Sequence, residues 1–155
     1  MTGKPRAKIR GTHQPQRGGI ATTMQIQPYL FYDGRCDEAI EFYRAALGAQ
    51  VSFHMRYKES PEPTSHGDPE KVMHASLRIG DTTVFLSDGQ SSGHLSFQGF
   101  ALSLTVGEDA EAERLFAALA DGGKVQMPMT KTFFSSKFGM VFDRFGVLWM
   151  IHVVA

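Results

Sequence analysis

Between Val72 and Gly89 the chain reads VMHASLRIGDTTVFLSDG. His74 is the group in this stretch best suited to proton transfer or ligand binding, because an imidazole changes charge near neutral pH. The spacing predicts two short strands joined by a tight turn at Gly80-Asp81. Pairing across that turn sets Ile79 opposite Thr82, Leu77 opposite Val84 and Ala75 opposite Leu86. Met73, Ala75, Leu77, Ile79, Val84 and Leu86 then make one apolar face. The other face pairs Arg78 with Thr83, Ser76 with Phe85 and His74 with Ser87. Two roles are open to His74. It is either an acid/base or binding group facing a ligand, with Ser87 beside it, or a buried structural histidine hydrogen-bonded across the strands to Ser87.

The elements around this hairpin fall into a pattern that occurs twice. IQPYLFY (26–32) reads as a strand, followed by DEAIEFYRAALG as a helix. There Asp37 is the expected N-cap, Glu38 and Glu41 suit the first turn, and Gly48 suits the C-terminal cap. Ile40, Tyr43 and Leu47 supply the apolar stripe. AQVSFHMRY follows as a strand, with Val51, Phe53, Met55 and Tyr57 on one face and Ser52, His54 and Arg56 on the other. The polar, proline-rich loop 58–70 leads into the hairpin. In the second half FALSLTV (100–106) is a strand with Leu102, Leu104 and Val106 alternating against Ala101, Ser103 and Thr105. DAEAERLFAALADGG is a helix with Asp109 as cap, Ala112, Leu115 and Leu119 as stripe, and Gly122-Gly123 as stop. Three strands close the chain: KVQMPMTKTFF, SKFGMVFD and VLWMIHVVA. Asp109 stands 72 positions after Asp37, and Gly122 stands 74 after Gly48. The expectation is a βαβββ module repeated twice, at about 25–90 and 99–155, within one domain over 25–155.

Composition bounds what such a domain does. At 155 residues with 42% hydrophobic residues, the chain can bury a real core. Basic and acidic residues number 16 each, so the net charge is zero and nothing in it asks for nucleic acid. No apolar run approaches the roughly 20 residues of a spanning helix. One cysteine, Cys36, rules out an internal disulfide and fits a reducing, cytoplasmic setting. Cys36 just before the first helix is either a dipole-activated thiolate or a half-buried thiol near the cap. Residues 1–24 carry Lys4, Arg6, Lys8, Arg10 and Arg17 with no acid before Asp33. They read as a disordered basic tail, a nucleic-acid arm, a transit peptide, or the consequence of a start at Met24.

One helix per module covers one sheet face. The other face is expected to mix Leu30, Phe85, Ala101, Leu148 and Met150 with Ser, Thr and His. That suits a concave, partly dry cavity better than open solvent. The segments PYLFYDGRCDEAIEFYRAALGA, KVMHASLRIGD, AERLFAALADGG and DRFGVLWMIH resemble the PhnB-like branch of the vicinal-oxygen-chelate superfamily, over about residues 25–154. That superfamily includes glyoxalase I, bleomycin-resistance proteins and extradiol dioxygenases. The resemblance implies an α+β fold of two βαβββ modules, a curved cup-shaped mixed sheet with helices on its outer face, and a homodimer. The cup forms within one chain or across two. Members of the branch often carry the label of a demethylubiquinone methyltransferase; no glycine-rich adenosylmethionine loop follows a strand here, so the label is given no chemical weight.

The resemblance also implies a divalent metal held by His, Gln or Glu on the first and last strands of the modules. The corresponding positions are Pro28, Ala101, Met150 and Phe85 or Leu86, none of which is an oxygen or nitrogen donor. The expectation is therefore no metal and no cofactor. A divalent metal, including one bridged by His74 and His152, is the alternative. In the family's geometry the His74 face points into the cup, together with Leu148, Met150 and His152 on the last strand, and Phe134 sits at the mouth. The candidate ligand-binding set is His74, Ser76, Phe85, Ser87, Ser103, Phe134, Met150, His152 and Arg56, with His74 the candidate catalytic group. Arg56, Arg78 and Lys137 near the cup favour an anionic ligand, unless they pair with acids such as Asp88 and Asp143.

Three function classes follow. One is a small-molecule-binding protein of the sequestering kind, taking a planar or anionic ligand without chemistry. Another is a lyase, isomerase, transferase or dioxygenase-type enzyme using His74 or a metal. The third is a dimeric structural module with a vestigial cup. None calls for nucleic acid or a membrane as partner.

Overall fold

A computed structural model describes residues 23–62, 67–89 and 93–154. The expectations for the leading basic segment, up to residue 22, lie outside them. The elements run β1 (Tyr29–Phe31), α1 (Cys36–Leu47), β2 (Gln50–Arg56), β3 (Val72–Ile79), β4 (Thr82–Ser87), β5 (Leu102–Val106), α2 (Asp109–Ala120), β6 (Lys124–Thr130), β7 (Phe138–Phe142) and β8 (Leu148–Val153). They form two four-stranded mixed sheets, ordered β1-β4-β3-β2 and β5-β8-β7-β6. In each, the first strand lies parallel to the last and the other pairs are antiparallel. The two halves share one topology, the α+β pair of βαβββ modules that the repeat leads one to expect. Among the described residues no helix is long and apolar enough to cross a membrane.

The hairpin register is as expected: Ile79 opposite Thr82, Leu77 opposite Val84, Ala75 opposite Leu86, Arg78 opposite Thr83 and Ser76 opposite Phe85. Ala75, Leu77, Val84 and Leu86 are buried beneath the helix side, as period two requires. Both expected helix N-caps are corrected. Position 35, an arginine, precedes α1, and no side chain of the first turn caps it. Asp88, just past β4, does so from across the module: its Oδ1 accepts from the N–H groups of Gly34 and Cys36, each at 2.8 Å. Its Oδ2 accepts from Val72 N–H at 2.8 Å. A carboxylate at the helix N-terminus satisfies orphan donors and suits the dipole whatever its distance in sequence. Asp109 is likewise the first helical residue of α2 rather than its cap, which is Glu108. Gly48 ends α1 in the left-handed region at φ 66°, as expected. At Gly123 a Cβ would fall 2.1 Å from the carbonyl oxygen of Phe142, so the glycine after α2 is required by close approach of β6 to β7.

The core is one cluster shared by both modules. Leu30, Tyr32, Ile40, Tyr43, Leu77 and Leu86 from the first join Leu119, Val141, Phe145, Val147, Trp149 and Ile151 from the second. Leu47 of α1, Ile79 of β3, Leu104 of β5 and Leu115 of α2 line a common cleft between them. The helix-side faces of the two sheets therefore meet in this core, and their opposite faces point away from it.

Candidate functional site

His74 sits on the open face of the first sheet, half-buried among rings. Its ring centroid lies 5.2 Å from Phe85, 5.4 Å from Tyr29 and 5.8 Å from Phe53. Phe31 stacks on Tyr29 at 5.0 Å. The Tyr29 hydroxyl and His74 Nδ1 are hydrogen-bonded at 2.8 Å, and Ser76 Oγ lies 3.4 Å from Nε2. Burial pushes the Tyr29 phenol up, so it stays protonated at neutral pH. Tyr29, Phe31 and Phe53 remain 42%, 56% and 44% exposed, which makes this face an open aromatic patch.

Strand parity explains which residues gather here. Tyr32 is fully buried, with its hydroxyl 2.8 Å from that of Tyr43. Period two then sends Leu30 to the core and Tyr29 and Phe31 to the open face. Leu30, expected on the open face, is a core residue at 5% exposure. Tyr29, Phe31 and Phe53 were not among the expected site residues. The alternation in PYLFY was the available signal for the first two. For Phe53 there was none, because β2 is bulged: Val51 pairs with Leu77 and Phe53 with Ser76, so Ser52 is skipped. Phe53 and Met55 consequently face His74, whereas His54 and Arg56 face α1.

Arg56 thus lies apart from the His74 cluster, against α1. It stands opposite Val72, with Met73 skipped in the pairing. Its guanidinium donates to Asp37 Oδ2 at 2.8 Å, and His54 Nε2 lies 3.2 Å from Asp37 Oδ1. The other expected cations leave too. Lys137 pairs with Glu113 at 2.9 Å, and Arg78 donates to the carbonyl of Gly80 at 3.1 Å, at the far end of the hairpin. Among the described residues neither Asp88 nor Asp143 takes a cation; both are buried and filled by N–H and O–H donors. Ser87 is not the partner of His74. Its Oγ donates to the Val72 carbonyl at 3.3 Å and accepts from Gly89 N–H at 2.9 Å, tying down the strand end. Cys36 is fully buried, and burial pushes its thiol up, so it is no activated thiolate.

The second sheet carries the remaining expected residues on its own open face. Met150 pairs with Ser103 and Met140, and His152 with Thr105 and Phe138. Phe134 reaches His152 at 5.8 Å between ring centroids and Phe138 at 5.3 Å. Phe133 beside it is wholly exposed. His74, Ser76 and Phe85 come together in one module, and Ser103, Phe134, Met150 and His152 in the other. Among the described residues every ring contact on these faces stays within its own module.

The donors present do not fit the family's divalent centre. Pro28 lies on the helix side, lining a cleft with Val84 and Trp149. Ala101, Phe85, Leu86 and Met150 offer no oxygen or nitrogen ligand. Among the described residues no three His, Cys, Asp or Glu side chains gather. His74 and His152 sit on different sheets.

A family model of the Glyoxalase/Bleomycin resistance protein/Dioxygenase superfamily matches residues 25–151. Protein YjdN of Escherichia coli is 36% identical over 141 residues, 84% of this chain and 96% of that protein. The crystal structure of protein PA1353 from Pseudomonas aeruginosa is 42% identical with a TM-score of 0.76, covering 85% of this chain and 98% of that one. The PhnB protein from Bacillus cereus is 26% identical with a TM-score of 0.72, covering 84% of this chain and all of the other. With the duplicated topology and the paired sheet faces, these likenesses mean that the chain belongs to the PhnB-like branch of the glyoxalase/bleomycin resistance/dioxygenase superfamily.

Proposed function

We propose that the chain binds a planar, π-rich small molecule on the His74 ring cluster, without the family's divalent metal and without catalysing a reaction. One observation carries this reading: Tyr29, Phe31, Phe53, His74 and Phe85 gather on one exposed sheet face, while Arg56 is held by Asp37, Lys137 by Glu113, and Arg78 lies at the far end of the hairpin. Flat rings in offset contact favour another flat ring, and Nε2 of His74 with Ser76 Oγ supplies a polar edge. Among the described residues no lysine or arginine side chain joins the ring cluster to partner an anionic ligand. The cup is completed by a second copy of the chain. This rests on the two open faces pointing away from their shared core, so that no described element of the same chain roofs the first-module face.

The test is a thermal-shift panel that sets planar heteroaromatic compounds against aliphatic carboxylates and phosphonates, with light scattering on the same samples. The expected result is stabilisation by planar compounds only, lost in Phe85→Ala, and a particle of twice the chain mass. A ligand at a hundred times its Kd adds about 2.7 kcal/mol, well within reach of the method. Stabilisation by anions alone overturns the ligand class, and a monomer overturns the shared cup.

A second reading has its own support. The Tyr29–His74–Ser76 chain resembles an oriented acid–base group, because a partner on Nδ1 fixes the ring and its tautomer. His74→Ala separates the readings once a planar ligand is in hand. Lost turnover with retained binding means an enzyme, lost binding alone means sequestration, and an effect on stability alone means a structural histidine.

A further inference from the structure

Three methionines cross the open face of the second sheet in a single row. Met127 of β6 pairs with Met140 of β7, and Met140 pairs with Met150 of β8. His152 lies two residues beyond Met150 on the same face, one row along. The fourth methionine of this module, Met129, is on the other side: its sulfur packs where a Cβ on Gly139 would fall, beside the Phe116 ring. The methionines are thus sorted by face, three on the open side and one packed on the helix side.

Paired residues on neighbouring strands stand about 5 Å apart at Cα. A methionine side chain has three rotatable bonds, enough for three such sulfurs to converge over the middle strand. β6 favours that convergence. Its register breaks on both sides of Met127, between Val125 and Met127 and between Met127 and Thr130. Bulges bend a strand and re-aim its side chains. The row is reachable: Met127 is 40% exposed, and Met140, Met150 and His152 are half-buried. The His152 imidazole meets the Phe134 ring and enters no hydrogen bond among the described residues. No carboxylate shares these rows, whose other members are Ser103, Thr105, Thr130 and Phe138.

Thioether sulfur is a poor ligand for hard or borderline divalent ions and a good one for soft monovalent ions. We propose that Met127, Met140, Met150 and His152 form a binding site for a soft monovalent cation of the copper(I) and silver(I) class. All four side chains belong to one sheet of one chain, so the site requires neither the planar ligand nor a second copy. The competing explanation for the row is a pliable apolar lining for an organic ligand, a use to which methionine is also suited.

Silver(I) nitrate in chloride-free buffer tests this without redox chemistry, read by NMR on protein carrying 13C-labelled methionine methyls. The expected result is that the Met127, Met140 and Met150 methyls shift together and saturate near one equivalent, with the His152 ring signals moving alongside. Met129, on the helix side, and Met55, on the open face of the first sheet, stay in place. Met140→Leu keeps the volume and removes the central sulfur. It is expected to weaken binding about tenfold or more, the scale of loss seen even for outer partners of a metal site. Met129→Leu leaves the affinity unchanged and controls for general disturbance of the sheet. Shifts that follow exposure alone, with Met24 and Met55 responding like the row, would overturn the site. So would no shift at several equivalents, or unchanged affinity in a folded Met140→Leu protein.

Discussion

His74 is defined by the atoms that touch it. Tyr29 approaches Nδ1 at 2.8 Å, while Ser76 at 3.4 Å is a weak partner for Nε2. A Tyr29 hydroxyl that donates to Nδ1 leaves the proton of the neutral ring on Nε2, pointing at whatever occupies the face. In 15N spectra His74 is expected as the Nε2–H tautomer, and Tyr29→Phe is expected to mix the tautomers while keeping the ring stack. The same variant should cost only about 1 kcal/mol in urea unfolding, the net worth of one partly exposed hydrogen bond. A wild-type ring found as the Nδ1–H tautomer would show that Tyr29 accepts rather than donates, and a tautomer unmoved by Tyr29→Phe would show that Tyr29 does not set it. The contrast with Ser87 is instructive. By alternation alone Ser87 is the natural neighbour of His74, yet its hydroxyl satisfies the end of its own strand. Sequence patterns place side chains on faces; they do not choose between a side-chain partner and a nearby backbone group.

At the scale of elements, strand parity and helix stripes were legible and breaks in parity were not. The β3–β4 hairpin, both helix stripes and the β8 alternation are all as the pattern of apolar residues requires. The bulge at Ser52 turned Phe53 toward the open face and His54 toward α1, because one skipped residue inverts the alternation that follows it; Arg56, past a second shift at Met73, is held off that face by its bond to Asp37. Helix α1 shows the other limit. Its cap, Asp88, lies more than fifty residues downstream, where no local motif points to it. Asp88→Ala leaves the N–H groups of Gly34, Cys36 and Val72 buried without acceptors, and is expected to cost roughly 3 kcal/mol or more. Asp88→Asn, which keeps an acceptor oxygen, should cost less. Equal losses in urea midpoint for the two variants would contradict this account. Asp37, freed from capping, ties α1 to β2. Burial works against its ionisation, but the hydrogen bonds and charges of Arg56 and His54 outweigh it and hold the carboxyl below its usual range. A carboxylate with a depressed folded-state pKa stabilises above its ordinary value of about 3.9, and that contribution fades as pH falls through the folded value. The pair is half-exposed, so the effect stays below about 1 kcal/mol. Stability curves of wild type and Asp37→Asn should therefore be separated at neutral pH and converge in acid.

Across the whole molecule, one buried carboxylate joins the modules. Asp143 Oδ1 accepts from the N–H groups of Phe145 and Val147 at 2.9 and 3.0 Å, which shapes the β7–β8 turn. Its Oδ2 accepts from Trp149 Nε1 at 2.9 Å and from the Tyr43 hydroxyl at 2.6 Å. Of these four donors only Tyr43 comes from the first module. Around it Tyr32, Phe42 and Tyr43 pack on Phe145, while Arg35 covers Phe145 and Arg144 covers Phe42, a reciprocal pair across the joint. The apolar rings hold the modules together and the hydrogen bond fixes their angle, which matters to any cup made from faces of two modules. Tyr43→Phe removes the bond and keeps the rings. It is expected to lower stability by roughly 1–3 kcal/mol, since Asp143 loses one of four donors in a buried setting. Trp149, the only tryptophan, reports on the second module, and far-UV circular dichroism reports on both. The two probes should give coincident urea transitions in the wild type and again, at a lower midpoint, in Tyr43→Phe, because the ring packing still couples the modules. Transitions that separate in the variant would mean that the hydrogen bond, not the apolar joint, makes the two modules fold as one.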